Sequence, residues 1–194
     1  MKKILAITIF AALLFGFTVE RKLPVFNSQN PFNNKDTQYV CLPCGSKCDA
    51  IVYKKPGNCG HCSMQLVDKA GVRFASIEPA AICSFIQDMG RDKVVLLDVR
   101  TNEEFEGKAP EKFGRLAGAV NIPVQELSQR MKELQRYKGK EIIVYCSHSH
   151  RSPRASYLLM QNGFTRVTNM EYGMSEWKNM VKQDACNKKL YIKQ

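Results

Sequence analysis

The chain has 194 residues, 44% of them hydrophobic, enough to bury one full-sized core with a smaller module beside it. Its formal charge of +11 does not mark a nucleic-acid binder, because the lysines and arginines are scattered and no stretch interleaves them with aromatics along a groove. The basic balance reads as a solvated surface, and nucleic acid is not an expected partner.

Residues 1–20, "MKKILAITIFAALLFGFTVE", place Lys2 and Lys3 before a continuous apolar run from Ile4 to Phe17. This is the layout of a bacterial secretory signal, or of an N-terminal membrane anchor if it is not cleaved. Either would carry the rest of the chain to the periplasm or another extracytoplasmic part of the envelope, with membrane contact only through this segment. Residues 21–37 are polar, Asn- and Pro-containing and without period, which predicts a tether.

From Tyr39 to Val67 five of the eight cysteines gather. Cys41 and Cys44 form one C-x-x-C and Cys59 and Cys62 a second, with 14 residues between the hooks. Four thiolates from two tight turns can surround one ion tetrahedrally, which lets about thirty residues fold without an apolar core. Zinc is the default expectation, with Cys41, Cys44, Cys59 and Cys62 as ligands. An oxidising envelope could instead turn the same thiols into disulfides, so both uses stay open. Cys48 and His61 are a spare thiol and a spare imidazole, either able to replace a ligand, and Met64 reads as a small-core residue. "AIVY" between the hooks can supply a ribbon strand.

The module resembles the short heavy-metal-binding domains of bacterial envelope and metal-transport proteins. Tyr39, Cys41, Pro56, Gly57, Cys59, Cys62, Met64, Leu66 and Val67 fall on that pattern in order. Cys44 stands where the family usually has His, and the extra thiolate favours a soft or borderline ion such as zinc or copper(I).

After a short linker at 69–73, an α/β pattern begins near Phe74. "FASIEPAAICSFIQDM" predicts a strand and then a helix opened by Pro79, with Ile82, Phe85 and Ile86 inward and Cys83 as a small buried hydrophobe. "KVVLLDVR" reads as a parallel strand covered on both faces, ending in Asp98 and Arg100. A helix with Val124, Leu127, Met131 and Leu134 inward follows. The next buried strand, "EIIVYC", delivers Cys146 to its carboxyl end, where open α/β sheets bind ligands.

"SHSHRS" then leads into a helix started by Ser152 and Pro153 and stopped at Gly163. A cysteine so placed faces backbone N–H groups and the positive end of a helix, which favour its thiolate. Arg151 can fold back over the same cup and grip an anion with its fork of donors. Ser147, His148, Ser149, His150 and Ser152 complete the lining, the histidines adding charge or hydrogen bonds. Trp177, after the last strand, reads as core closure, and in the tail, 183–194, Cys186 could pair with Cys48, stay free or act as a resolving thiol.

Residues 74–182 resemble the rhodanese-like sulfurtransferases in four signatures. "LLDVRTNEEFEGK" is similar to L-D-V-R-x-x-x-E-[FY], and "GRLAGAVNIP" to G-H-I-x-G-A-x-N-I-P, with Arg115 in place of His. "VYCSHSHRSPRASYLLMQNGF" is similar to the family's active loop and helix, and "NMEYGMSEWK" to its closing L-x-G-G-x-x-x-W. The resemblance implies an open parallel sheet with helices on both faces and a persulfide formed on Cys146. The donor would be a small anion such as thiosulfate, and the acceptor cyanide, a thiol or a protein thiol partner. No cofactor is needed for the transfer itself, and Asp98 and Arg100 would brace the site through ion pairs. Ser149 stands where the family loop has Gly, which predicts a stiffer or more crowded cup. Related phosphatase loops hold five residues between Cys and Arg. Here four, Ser147 to His150, separate Cys146 from Arg151, a tighter cup that suits sulfur. The rival reading is a metal-handling or persulfide-sensing protein without rapid turnover.

Overall fold

A computed structural model describes residues 37–194. Residues 1–36, which hold the leader or anchor expectation and nearly all of the tether, lie outside the described residues. No helix among the described residues is long and apolar enough to cross a membrane. The cysteine-rich ribbon and the sheet domain belong to one compact unit.

The ribbon is a three-stranded antiparallel sheet in which β1 (Tyr39–Val40) lies between β2 (Val52–Tyr53) and β3 (Val67–Asp68). Strands of two residues bury little by themselves. Their interior is filled instead by Cys41, Cys44, Cys48 and Cys59 with Met64 and Leu66, all buried. The segment read as a linker at 69–73 contains a tight helical turn, Lys69–Gly71. A Cβ on Gly71 would sit 2.9 Å from Tyr157 Oη, so this connection packs closely on the domain.

The domain then runs β4 (Ala75–Ile77), α1 (Ile82–Met89), β5 (Val94–Asp98), α2 (Asn102–Glu106), β6 (Arg115–Leu116), β7 (Val120–Asn121) and α3 (Leu127–Leu134). It continues with β8 (Glu141–Tyr145), α4 (Arg151–Gln161), β9 (Val167–Met170), α5 (Trp177–Met180), α6 (Ala185–Leu190) and β10 (Tyr191–Ile192). Five parallel strands form the main sheet in the order β4-β9-β8-β5-β7, with β8 at its centre. This is the expected rhodanese-like α/β architecture with the small ribbon beside it.

Every residue of β5 and β8 is buried, as the unbroken apolar runs predict for strands covered on both faces. Alternate side chains feed two layers. Val95, Leu97, Ile142 and Val144 meet Leu127, Met131 and Leu134 of α3 and Ala155 and Leu159 of α4. Val94, Leu96, Ile143 and Tyr145 meet Ile82 and Ile86 of α1 together with Met174 and Trp177. Leu42 of the ribbon joins the first layer.

Two expectations change at the carboxyl terminus. Cys83, read as an unpaired hydrophobe, forms a disulfide with Cys186 across a Cα–Cα distance of 6.2 Å. None of the three roles considered for Cys186 included this partner. The tail is also built into the fold. Asp184 caps α6 by accepting from the Asn187 amide at 2.8 Å, and β10 pairs antiparallel with β6. Trp177 closes the core as expected, stacked on Tyr191 with ring centroids 6.0 Å apart.

Candidate active site and metal centre

Cys146 follows β8 at the middle of the sheet and is 1% exposed, its sulfur 3.4 Å from Ser152 Oγ, to which it donates. The loop Ser147–His150 turns directly into α4, whose first residue is Arg151, one earlier than the Ser-Pro start predicts. Outward carbonyls of this loop are taken up from behind: Met174 N–H donates to Cys146 O at 2.9 Å and Ser175 N–H to Ser147 O at 3.0 Å. Gly173, at φ 74°, makes that backing possible, since a Cβ there would lie 2.2 Å from Ser147 O. Among the described hydrogen bonds the amides of Ser147 to Ser152 donate to no protein acceptor. With the helix N-terminus they offer an anion-binding nest beside the thiol.

Arg151 does a different job from the one its spacing predicts. Its Nη1 donates to Glu104 Oε2 at 2.5 Å and its Nη2 to Glu104 Oε1 at 2.7 Å, so the fork is filled by a carboxylate of the protein itself. Ser147 Oγ joins the knot, donating to Glu104 Oε1 at 2.7 Å and accepting from Arg151 Nη2 at 3.1 Å. Burial pushes the Glu104 carboxyl up, but the bonds from Arg151, Ser147 and the Thr101 amide outweigh it and hold it down to about 2. Thr101 and Glu104 also form a capping box at the start of α2, which aims the carboxylate. Sequence reasoning did not assign Glu104 a role, although it is the E of the quoted L-D-V-R-x-x-x-E-[FY] signature.

The remaining residues of the cup divide by exposure. Ser147, Ser149 and Ser152 are buried, whereas His148 and His150 are exposed. His148 meets the Phe113 ring edge-on at 5.2 Å. Ser149 adopts the left-handed φ of 55°, the conformation that Gly takes easily, and its Oγ donates to Met170 O at 3.4 Å. Its side chain is thus held by the neighbouring strand. Asp98 and Arg100 form a buried pair, with Nη2 2.6 Å from Oδ2 and Nε 2.9 Å from Oδ1. Arg100 Nη2 also donates to Gly114 O at 2.9 Å. Their bracing therefore ties the tip of β5 to the chain before β6, and no described hydrogen bond runs from them to the Cys146 loop.

In the ribbon, Cys41, Cys48, Cys59 and Cys62 bring their sulfurs within 4.8 Å of one another. Metal–sulfur bonds of about 2.3 Å place tetrahedral sulfurs roughly 3.8 Å apart, so these four fit a closed thiolate site. Cys48 occupies the place predicted for Cys44. The tight helical turn Lys47–Ala50 buries Cys48 in the cluster, while Asp49 ties the Cys44 amide back at 2.9 Å and keeps Cys44 to one side. His61 is exposed and outside the group. Burial and the neighbouring sulfur of Cys62 push Cys41 up, and burial pushes Cys48 up to about 12. At Cys59 burial acts in the same direction, but the amides of Cys62 and His61 prevail and hold it down to about 6. Four sulfurs this close cannot all be charged without a cation between them.

The family of rhodanese-like domains matches residues 84–180. The chain is similar to the uncharacterized protein YqhL of Bacillus subtilis, 39% identical over 93 residues, which are 48% of this chain and 68% of that protein. It is 32% identical over 87 residues to a sulfurtransferase of Allochromatium vinosum, covering 44% of this chain and 73% of that one. A tRNA uridine(34) hydroxylase of Cytophaga hutchinsonii is 32% identical over 120 residues, 60% of this chain but only 36% of that longer protein. With Cys146 at the tip of the central strand and its loop closed by Arg151 and Glu104, the chain belongs to the rhodanese-like family.

Proposed function

We propose that this protein is a cell-envelope sulfurtransferase that carries sulfane sulfur on Cys146. The observation that carries the reading is the nearly buried thiol at the centre of the sheet, beside a row of amides that donate to no acceptor among the described residues. The Cys146 thiolate attacks the outer sulfur of a donor such as thiosulfate. The sulfur–sulfur bond breaks, sulfite leaves with the electron pair, and a persulfide remains. Cyanide or a thiol then attacks the terminal sulfur and the thiolate is restored. The nest amides stabilise the anionic sulfur, while Glu104 and Arg151 fix the loop in place. His148 and His150, the exposed side chains at the rim, meet the incoming donor.

The ribbon carries zinc or another soft or borderline ion on Cys41, Cys48, Cys59 and Cys62, which holds its two-residue strands together. The Cys83–Cys186 disulfide supports an oxidising, extracytoplasmic location. The test is thiocyanate formation from thiosulfate and cyanide. Wild type turns over and acquires 32 Da of sulfur on Cys146, whereas Cys146→Ser loses at least about 10³-fold in rate. Thiocyanate formation that is absent in wild type, or unchanged by the substitution, defeats the reading.

A further inference from the structure

Cys48 belongs to two groups of ligands. Its sulfur completes the set with Cys41, Cys59 and Cys62, and it also forms a second set with Cys44 and Asp49, whose ligand atoms again lie within 4.8 Å of one another. Cys44 is left over by the first set yet is buried, 5% exposed, with its sulfur 4.0 Å from that of Cys48. Asp49 is fixed in place. Its Oδ2 accepts the amides of Cys44 at 2.9 Å, Gly45 at 2.8 Å and Ser46 at 3.2 Å. Its other oxygen, Oδ1, lies 3.5 Å from Cys44 Sγ and 3.9 Å from Cys48 Sγ. Two buried sulfurs therefore face a carboxylate oxygen whose twin is pinned by three amides, a donor set arranged before any ion arrives.

We infer that the ribbon holds a second metal ion on Cys44, Cys48 and Asp49, with the Cys48 thiolate shared between the two ions. The inference rests on the metal reading of the four-cysteine set. The donors select the ion. Two thiolates and a carboxylate suit a borderline divalent cation such as zinc, whereas copper(I) has little use for the carboxylate oxygen. Three protein ligands, with Asp49 only half-buried, leave a position open to water, so this ion exchanges while the four-sulfur ion stays closed in. Its binding displaces the Cys44 proton. The turn that carries it is also the part of the ribbon that touches the region behind the Cys146 loop. Pro43 O accepts from Asn169 Nδ2 at 3.4 Å, and a Cβ on Gly45 would meet the Tyr172 ring at 2.8 Å.

The test uses the full chain, stripped of metal under argon. Zinc alone is added and counted by native mass spectrometry, then cobalt(II) is followed by electron paramagnetic resonance. Wild type is expected to bind two zinc ions per chain, and Cys44→Ser and Asp49→Asn one each. The second cobalt equivalent is expected to reduce the signal per ion, because a shared thiolate couples the two spins. One zinc in wild type, or two retained in either variant, overturns the second position and leaves the first standing. A second cobalt whose signal simply adds overturns the bridge. No zinc at all overturns the metal reading of the ribbon and this inference with it.

Discussion

In the ribbon, strands of two residues leave cysteines, Met64 and Leu66 to fill the interior, whereas the sheet domain packs two apolar layers against a five-stranded sheet and places Cys146 on top of them. A core made of ligands exists only with its ion, while a core made of packed side chains exists before any chemistry is added. The same element, sulfur, fills the interior of one region and stands, nearly buried, at the tip of the central strand in the other. The sharpest way to break this contrast is to withdraw the ion proposed for the ribbon. With a strong chelator, amide protection in residues 39–68 should collapse while β5 and β8 stay protected, as hydrogen exchange will show. Equal loss in both regions would mean that they share one stabilising core.

Next in size is the covalent tie on the domain side. The Cys83–Cys186 bond spans a sequence separation of 103, and closing a loop of that length contributes about 4.7 kcal/mol through the unfolded chain. Replacing both cysteines by Ser should lower the stability of the sheet domain by that amount in urea titrations and leave metal content unchanged. A smaller effect is expected at the ion pair over the cup. Glu104→Gln should cost about 2 kcal/mol, since it leaves a partly buried Arg151 without its charged partner. Folding lowers the Glu104 pKa, so the folded protein holds that proton less tightly than the unfolded chain does. The stabilisation is complete above 4.5 and is lost as pH falls through about 2, so the wild-type advantage over Glu104→Gln should shrink across that window.

The smallest change concerns Ser149. Glycine there removes the strain of a left-handed serine but also its bond to Met170, and the two effects oppose each other at roughly 1 kcal/mol each. Ser149→Gly should therefore stay within about 0.5 kcal/mol of wild type and within about twofold in thiocyanate rate. A large gain in rate would show that this side chain does crowd the cup.

Local patterns were readable, and distant pairings were not. Runs such as Val94–Asp98 and Glu141–Tyr145 announce buried strands because every residue in them is apolar or sits at a strand tip, and Cys146 follows from the second. The paired hooks likewise announce a thiolate cluster. Cys48 was readable only as a spare able to replace some ligand; that it takes the place of Cys44 depends on how a single helical turn is tied back by Asp49, which spacing does not encode. The Arg151–Glu104 pair joins residues 47 apart, and the basic residue alone suggested a free fork. Cys83 and Cys186 meet only once α6 has docked on α1. In each case the missing information is a contact between distant elements, and the short helical pieces that make these contacts, Lys47–Ala50, Asn102–Glu106 and Ala185–Leu190, carry too weak a local pattern to be anticipated.

The disulfide also divides the chain topologically. The closed ring from Cys83 to Cys186 contains Asp98, Arg100, Glu104, Cys146, Arg151 and Gly173, while the ribbon hangs outside it. A single cut by a protease at any exposed loop inside the ring leaves two chains still joined by the disulfide, and no piece of the cup can diffuse away. A cut between the ribbon and the domain leaves the ribbon held only by packing, through residues such as Leu42 and Pro43. The residues of the cup are thus kept on one covalent body, and the ribbon is the part that a single cut detaches from it covalently.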